Sequence, residues 1–191
     1  MTSLILADGT IGQMMEPVEL SEVKVNEYDK SWAVTGTKCE RKHNIINSLS
    51  LIPDELEQLN FARYEKYKTI EENEAMYEEY MMDDAEICVC AFGIAARVAK
   101  NAIVKAREQG VKVGLIRPIT LWPFPKAPFM KAADKVKSFI SVELSMGQMI
   151  EDIKLATECK KDVYLCNRAG GMIPSPEQVL ECIIKADKEG K

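Results

Sequence analysis

An α/β fold, specifically a three-layer α/β/α sandwich around a mostly parallel sheet, is predicted by three observations. The first is an uninterrupted apolar run, Ile87 to Ala91, which suits a strand covered on both faces; Gly93 follows where the chain must turn into a helix. The second is a helical pattern in which Ala95, Ala99, Ala102 and Ala106 share one methyl-sized face that can lie close on a sheet. Arg97, Lys100, Lys105, Arg107 and Glu108 are expected on its water side. The third is Gly110, which supplies a left-handed helix stop before Val111, Val113, Leu115 and Ile116 resume a buried strand. A right-handed crossover makes the two strands parallel neighbours.

The elements before this unit are weaker. Leu4-Ile5-Leu6-Ala7 is a short strand-like run ending in an Asp8-Gly9 turn. Four apolar residues do not make a stable element alone, so the first 18 or so residues are expected to be loosely held or to dock on a neighbouring surface. Residues 21–52 are an extended connector, with turn-prone Asn26, Asp29, Gly36 and Asn47 among charges. Pro53-Asp54-Glu55 then starts a helix, proline in the first turn and acids at the positive end of the dipole. Its pattern runs to residue 82, a helical arm on the order of 40 Å long. Leu56, Leu59, Arg63, Tyr67, Ile70, Glu74, Tyr77 and Met81 form a partly apolar stripe, fitting a solvated arm with one docking face or a packing surface for another domain or subunit.

Beyond the central unit, within an α/β domain spanning 83–191, the alternation continues. Ala127 to Lys135 is a short helix and Ser138 to Val142 a third strand. Glu143 to Gln148 bends into a helix reaching about Glu158, and Asp162 to Cys166 is a fourth strand. After the loop Asn167 to Ser175, Ser175 caps the last helix, with Pro176 at its first position and Glu177-Gln178 in its first turn. Four strands alternating with helices give the layered sandwich.

Composition excludes some functions. A net charge of −5 and a pI near 5.2 leave no clustered basic surface for nucleic acid. No apolar run approaches the roughly 20 residues that cross a bilayer, and Met1-Thr2-Ser3 leads straight into the strand-like segment, so no membrane association and a cytoplasmic location are expected. The six cysteines contain no CxxC pair, which excludes a zinc ribbon or a ferredoxin-type cluster run; Cys88 and Cys90 share a strand face as buried reduced thiols. His43 is a solvated loop residue, and no Asn-Asn pair follows Asp8-Gly9 to complete a diphosphate–magnesium motif.

Ligands of open α/β sheets gather beyond the carboxyl ends of the strands. Arg117 there could clamp a carboxylate or phosphate, or pair with an acid of the protein. Glu143 could act in acid–base chemistry or shape the Ser145–Gly147 turn by hydrogen bonding. Gly170-Gly171 has neither the Lys-Ser/Thr ending of a P-loop nor the spacing of a dinucleotide turn. Trp122 and Phe124, on a loop stiffened by prolines, serve as an assembly surface or as a seal for the domain's own core.

The wording of these segments carries a further signal. Gly110-Val111-Lys112-Val113-Gly114-Leu115-Ile116-Arg117-Pro118-Ile119-Thr120-Leu121-Trp122-Pro123-Phe124-Pro125 resembles the α subunit of 2-oxoacid:ferredoxin oxidoreductases of the 2-oxoisovalerate or 2-oxoglutarate branch. So do Asp8 to Val18, Trp32 to Gly36 and Val142 to Gln148, in the same order. The resemblance implies that 83–191 is a transketolase C-terminal-like domain and that 1–20 is the remnant of an upstream pyrimidine-binding domain, making the chain a C-terminal fragment. For the parent complex it implies thiamin diphosphate, magnesium and iron–sulfur clusters, oxidative decarboxylation of a 2-oxoacid, transfer of the acyl group to coenzyme A, reduction of ferredoxin, and association with β and other subunits. The catalytic glutamate would lie upstream of residue 1 and the diphosphate–magnesium site in another subunit. The fragment itself is then expected to hold no catalytic, cofactor-binding or metal residue, to bind no cofactor and to be inactive alone, a scaffold and subunit-contact domain. Gln13, Glu16, Arg117, Trp122, Phe124, Glu143 and Gln148 are its strand-end or subunit-contact candidates. Two alternatives share the fold: the C-terminal domain of a lipoamide-type 2-oxoacid dehydrogenase β subunit or a transketolase, and a flavodoxin-like ligand-binding module.

Overall fold

A computed structural model describes residues 3–20, 22 and 27–189. The chain divides into two compact units, one formed by Met1–Met14 with Lys68–Lys191 and the other by Met15–Tyr67.

The larger unit is built on five strands: β1 (Tyr77–Tyr80), β2 (Ile87–Cys90), β3 (Val113–Pro118), β4 (Ser138–Glu143) and β5 (Asp162–Asn167). Their order is β1-β3-β2-β4-β5, with β3, β2, β4 and β5 parallel and β1 antiparallel to β3. The central strands β2 and β4 are buried along their whole length, β2 as an unbroken apolar run covered on both faces and β4 with Ser138, Ser141 and Glu143 buried among its apolar residues. Helices α3 (Gly93–Glu108) and α6 (Pro176–Glu189) pack together on one face. There Ala95, Ala99, Ala102 and Ala106 sit against Ile87, Val89, Leu115 and Ile140. Helices α4 (Lys126–Ala133) and α5 (Met149–Ala156) cover the other face, where Phe129, Phe139, Ile116 and Ile153 meet Cys88 and Cys90. The result is the three-layer sandwich expected from the alternation.

Two expectations fail here. The helix starting at Pro53 does not continue to residue 82: α2 is Pro53–Asn73, and Tyr77, placed on its stripe, opens the edge strand β1 (Tyr77–Tyr80). The sheet therefore has five strands rather than four, one of them antiparallel. The physical reason lies on both sides of the break. The end of α2 carries Glu71 and Glu72 and no basic residue, which opposes the helix dipole. Tyr-Glu-Glu-Tyr instead gains a ladder on β3, pairing Glu78 with Arg117, and its alternation suits a half-covered edge. The Leu4-to-Ala7 run forms no strand; its side chains are exposed, and a short helix α1 (Gly9–Gly12) follows, capped by Asp8, whose carboxylate accepts from Ile11 N–H at 2.8 Å.

The smaller unit holds α2 as far as Tyr67; the helix has no buried residue, and Leu56 and Tyr67 of its stripe are less exposed than Phe61 and Tyr64. Residues 27–52, before α2, are irregular. Asp29 accepts from Ser31 N–H and Oγ, and Asn44 Nδ2 donates to the carbonyls of Ser31 and Ala33.

Candidate functional site

Strand order reverses between β2 and β4, and in a doubly wound sheet this switch point opens the crevice in which ligands bind. On the β2 side the chain passes through Phe92 into Gly93, which holds φ +58°, a left-handed turn suited to glycine. A methyl on Gly93 would lie 3.2 Å from Asp8 Oδ2, so α1 and its cap close over the start of α3. Arg97, one turn on, donates to Met14 Sδ at 3.2 Å. Residues 8–14 thus dock against the start of α3.

On the β4 side Glu143 is buried and its carboxylate is surrounded by donors. Oε1 accepts from Ser141 Oγ at 2.7 Å and Ile150 N–H at 2.9 Å. Oε2 accepts from Ser145 Oγ at 2.7 Å, Gln148 N–H at 2.7 Å and Met149 N–H at 3.1 Å. Burial pushes this carboxyl up, but the Gln148 N–H, the two serine hydroxyls and the Ile150 N–H outweigh it and hold Glu143 below the usual carboxylate range. With both oxygens occupied, the group serves as the negative cap of α5, completing the free N–H groups of its first turn. The same charge, after burial, raises the carboxyl of Asp152 in that turn. Gln148 enters the arrangement through its backbone, and its side chain is exposed.

Arg117 stands within β3, opposite Glu78 on β1: its Nη1 donates to Glu78 Oε2 at 3.0 Å while its buried Nε has no hydrogen-bond partner among the described residues, and Glu78 Oε1 takes Lys100 Nζ at 2.5 Å. The Lys100 bond chiefly, with Arg117 adding and desolvation opposing, lowers the Glu78 carboxyl. The loop that follows is tied to the approach to β1, because Thr120 Oγ1 accepts from Met76 N–H at 2.9 Å and donates to the Pro123 carbonyl at 2.8 Å. The Trp122–Pro123 peptide is cis. Phe124 stacks on Phe129 with centroids 5.0 Å apart and so joins the core, whereas Trp122 is 54% exposed. Gln13 is exposed in the larger unit and Glu16 is exposed in the smaller one.

The structure brings Glu143 and Gln148 together and leaves Arg117 with Glu78. Sequence reasoning missed several supporting residues. Arg107, expected on the water side, is half-buried: its Nε donates to the Val113 carbonyl at 2.7 Å, and its Nη2 reaches the Met81 carbonyl and Asp84. At Gly114, within β3, Met81 and Met82 cross directly overhead; a methyl there would fall 2.5 Å from the Met81 carbonyl oxygen. The acidic run between Glu71 and Asp84 was the available signal for Glu78 and Asp84, since acids facing the cationic side of the next helix find partners. Cys88 and Cys90 are buried, with Sγ atoms 3.9 Å apart. Among the described residues no group of three or more His, Cys, Asp and Glu side chains could hold a metal ion, and no helix is long and apolar enough to cross a membrane.

Comparison with known proteins gives this geometry its setting. Residues 85–179 match the profile of pyruvate:ferredoxin oxidoreductase core domain II. Ketoisovalerate oxidoreductase subunit VorB of Methanothermobacter marburgensis is 50% identical over 181 residues, covering 94% of this chain and 51% of that protein. The 2-oxoglutarate synthase subunit KorA of Methanothermobacter thermautotrophicus is 32% identical over 58% of this chain and 30% of its own length. Among solved structures, a 2-oxoglutarate:ferredoxin oxidoreductase from Magnetococcus marinus, with 2-oxoglutarate, coenzyme A and succinyl-CoA bound, matches with a TM-score of 0.63. That match has 22% identity over 78% of this chain and 26% of the other. A split-gene transketolase, an inactive β4 tetramer, matches with a TM-score of 0.53 and 12% identity over 61% of this chain and 42% of its own. The chain spans about half the length of the VorB relatives it matches.

Proposed function

Because the chain belongs to the 2-oxoacid:ferredoxin oxidoreductase family, with core domain II over residues 85–179, we propose that it is the scaffold and subunit-contact half of an α subunit acting on 2-oxoisovalerate. The observation that carries this reading is 50% identity to VorB along 94% of this chain but only 51% of VorB. The complete cytoplasmic enzyme would decarboxylate the 2-oxoacid oxidatively, pass electrons through iron–sulfur clusters to ferredoxin and transfer the acyl group to coenzyme A, with thiamin diphosphate and magnesium supplying the decarboxylation chemistry. The residues of this chain do not fit that cofactor. Asp8 is engaged as a helix cap, no Asn-Asn pair follows it, and Glu143 is filled by the protein's own donors. The chain's part is therefore to position neighbours. Leu4, Ile5, Leu6, Trp122 and Met146 leave large apolar surfaces in water, which favours contact with the rest of the subunit or with a partner subunit. Gln13, Glu16 and Gln148, all exposed, belong to the same proposal.

An omission experiment tests it. The chain is co-expressed with the complementing half and the other subunits of the complex, and 2-oxoisovalerate-dependent reduction of ferredoxin with coenzyme A is measured. The proposal expects activity with all parts and loss of at least a hundredfold when this chain is left out; undiminished activity without it would refute the assignment.

A further inference from the structure

Away from the switch point, β5 and α6 bring two cysteines together. Cys166, next to last in β5, is buried, and Cys182, in the second turn of α6, is half-buried. Their Sγ atoms are 2.6 Å apart although 16 positions separate them in the chain. The contact lies beside an open cavity of about 410 Å³ whose walls include Asn167, Arg168, Gln178 and Lys185, so a small solute can reach it. No third ligand turns the pair into a metal site among the described residues.

We propose that Cys166 and Cys182 are a peroxide-sensitive dithiol, Cys182 the attacking and Cys166 the resolving thiol, whose oxidation joins the last helix to the edge strand. The two side chains are unequal in the way such pairs are. The shared contact with Cys166 holds Cys182 below the ordinary thiol value despite burial and the Glu181 charge, with Lys185 assisting, while that contact and burial push Cys166 up. The Cys182 thiolate attacks one oxygen of hydrogen peroxide; the O–O bond breaks, a sulfenic acid forms, and the departing hydroxide takes up a proton to become water. The Cys166 sulfur then attacks the sulfenic sulfur, its proton leaving with the displaced hydroxyl as a second water. Two thiols are oxidised to one disulfide and one peroxide is reduced to two waters. Cys88 and Cys90, buried on one strand 3.9 Å apart, and Cys39 and Cys159, both exposed, serve as internal references.

The test treats the 191-residue chain with hydrogen peroxide in modest excess, alkylates it under denaturing conditions and maps the thiols by mass spectrometry. The expected result is loss of two alkylatable thiols of six, a peptide pair joined through Cys166 and Cys182 and lighter by about 2 Da than the sum of its thiols, and full recovery with dithiothreitol. Cys166→Ser should leave a dimedone-reactive sulfenic acid on Cys182, and Cys182→Ser should leave Cys166 unlabelled. Both thiols still alkylatable once Cys39 and Cys159 have been oxidised, or Cys182 carried to sulfinic acid with no cross-link in the wild-type chain, would overturn the proposal.

Discussion

At Glu143 one buried carboxylate meets five donors, and its charge is what those donors are arranged around. Glu143→Gln keeps the volume but removes the charge and turns an amide toward N–H groups, so it should cost roughly 2–3 kcal/mol, read as a lower denaturant midpoint. The same residue makes stability pH-dependent. Its folded pKa lies below its unfolded value of about 4.3. Its contribution is thus complete above that value and is lost as pH falls through the folded one. Melting curves between about pH 5 and 3 should show the wild-type chain losing its advantage over Glu143→Gln; parallel loss in both would contradict the assignment. Gly114 acts by having no side chain. Gly114→Ala would push a methyl to 2.5 Å from the Met81 carbonyl oxygen, and a loss of about 1–3 kcal/mol in urea unfolding is expected. The position of Glu143 at a strand end was legible in the sequence, but its shell was not: three of its five donors are backbone N–H groups, which carry no residue-specific mark.

Among the elements, burial announced itself by period in a helix covered on one face and by an unbroken apolar run in a strand covered on both. The alanine face of α3 and the unbroken apolar run of β2 were readable because their partners, a covering sheet or helix layer, impose the pattern directly. β1 was not readable, because it is held by residues distant in sequence: Glu78 pairs with Arg117 and Lys100, and the Met76 backbone with Thr120. Local helix propensity therefore pointed the wrong way over Tyr77 to Tyr80. Caps were readable where both members are side chains close in sequence. Ser175 Oγ accepts from Gln178 N–H at 3.3 Å, and Gln178 Oε1 accepts from Ser175 N–H at 3.1 Å, a reciprocal pair that starts α6. Ser175→Ala should lower stability by about 1 kcal/mol with an unchanged denaturant slope, since it alters a helix end and not the surface exposed on unfolding.

Among the described residues, several charged groups near the strand ends are engaged within the larger unit while large apolar side chains face water. Glu143 caps α5, Arg117 and Lys100 neutralise Glu78, and Asp8 caps α1. Leu4, Ile5 and Leu6 stand exposed on the same unit. This distribution supports the proposed scaffold and subunit-contact role. The direct measurement is carbon dioxide release from 1-¹³C-labelled 2-oxoisovalerate by the isolated chain supplied with thiamin diphosphate, magnesium, coenzyme A and an electron acceptor. No release above the protein-free blank is predicted; sustained turnover by this chain alone would contradict the account.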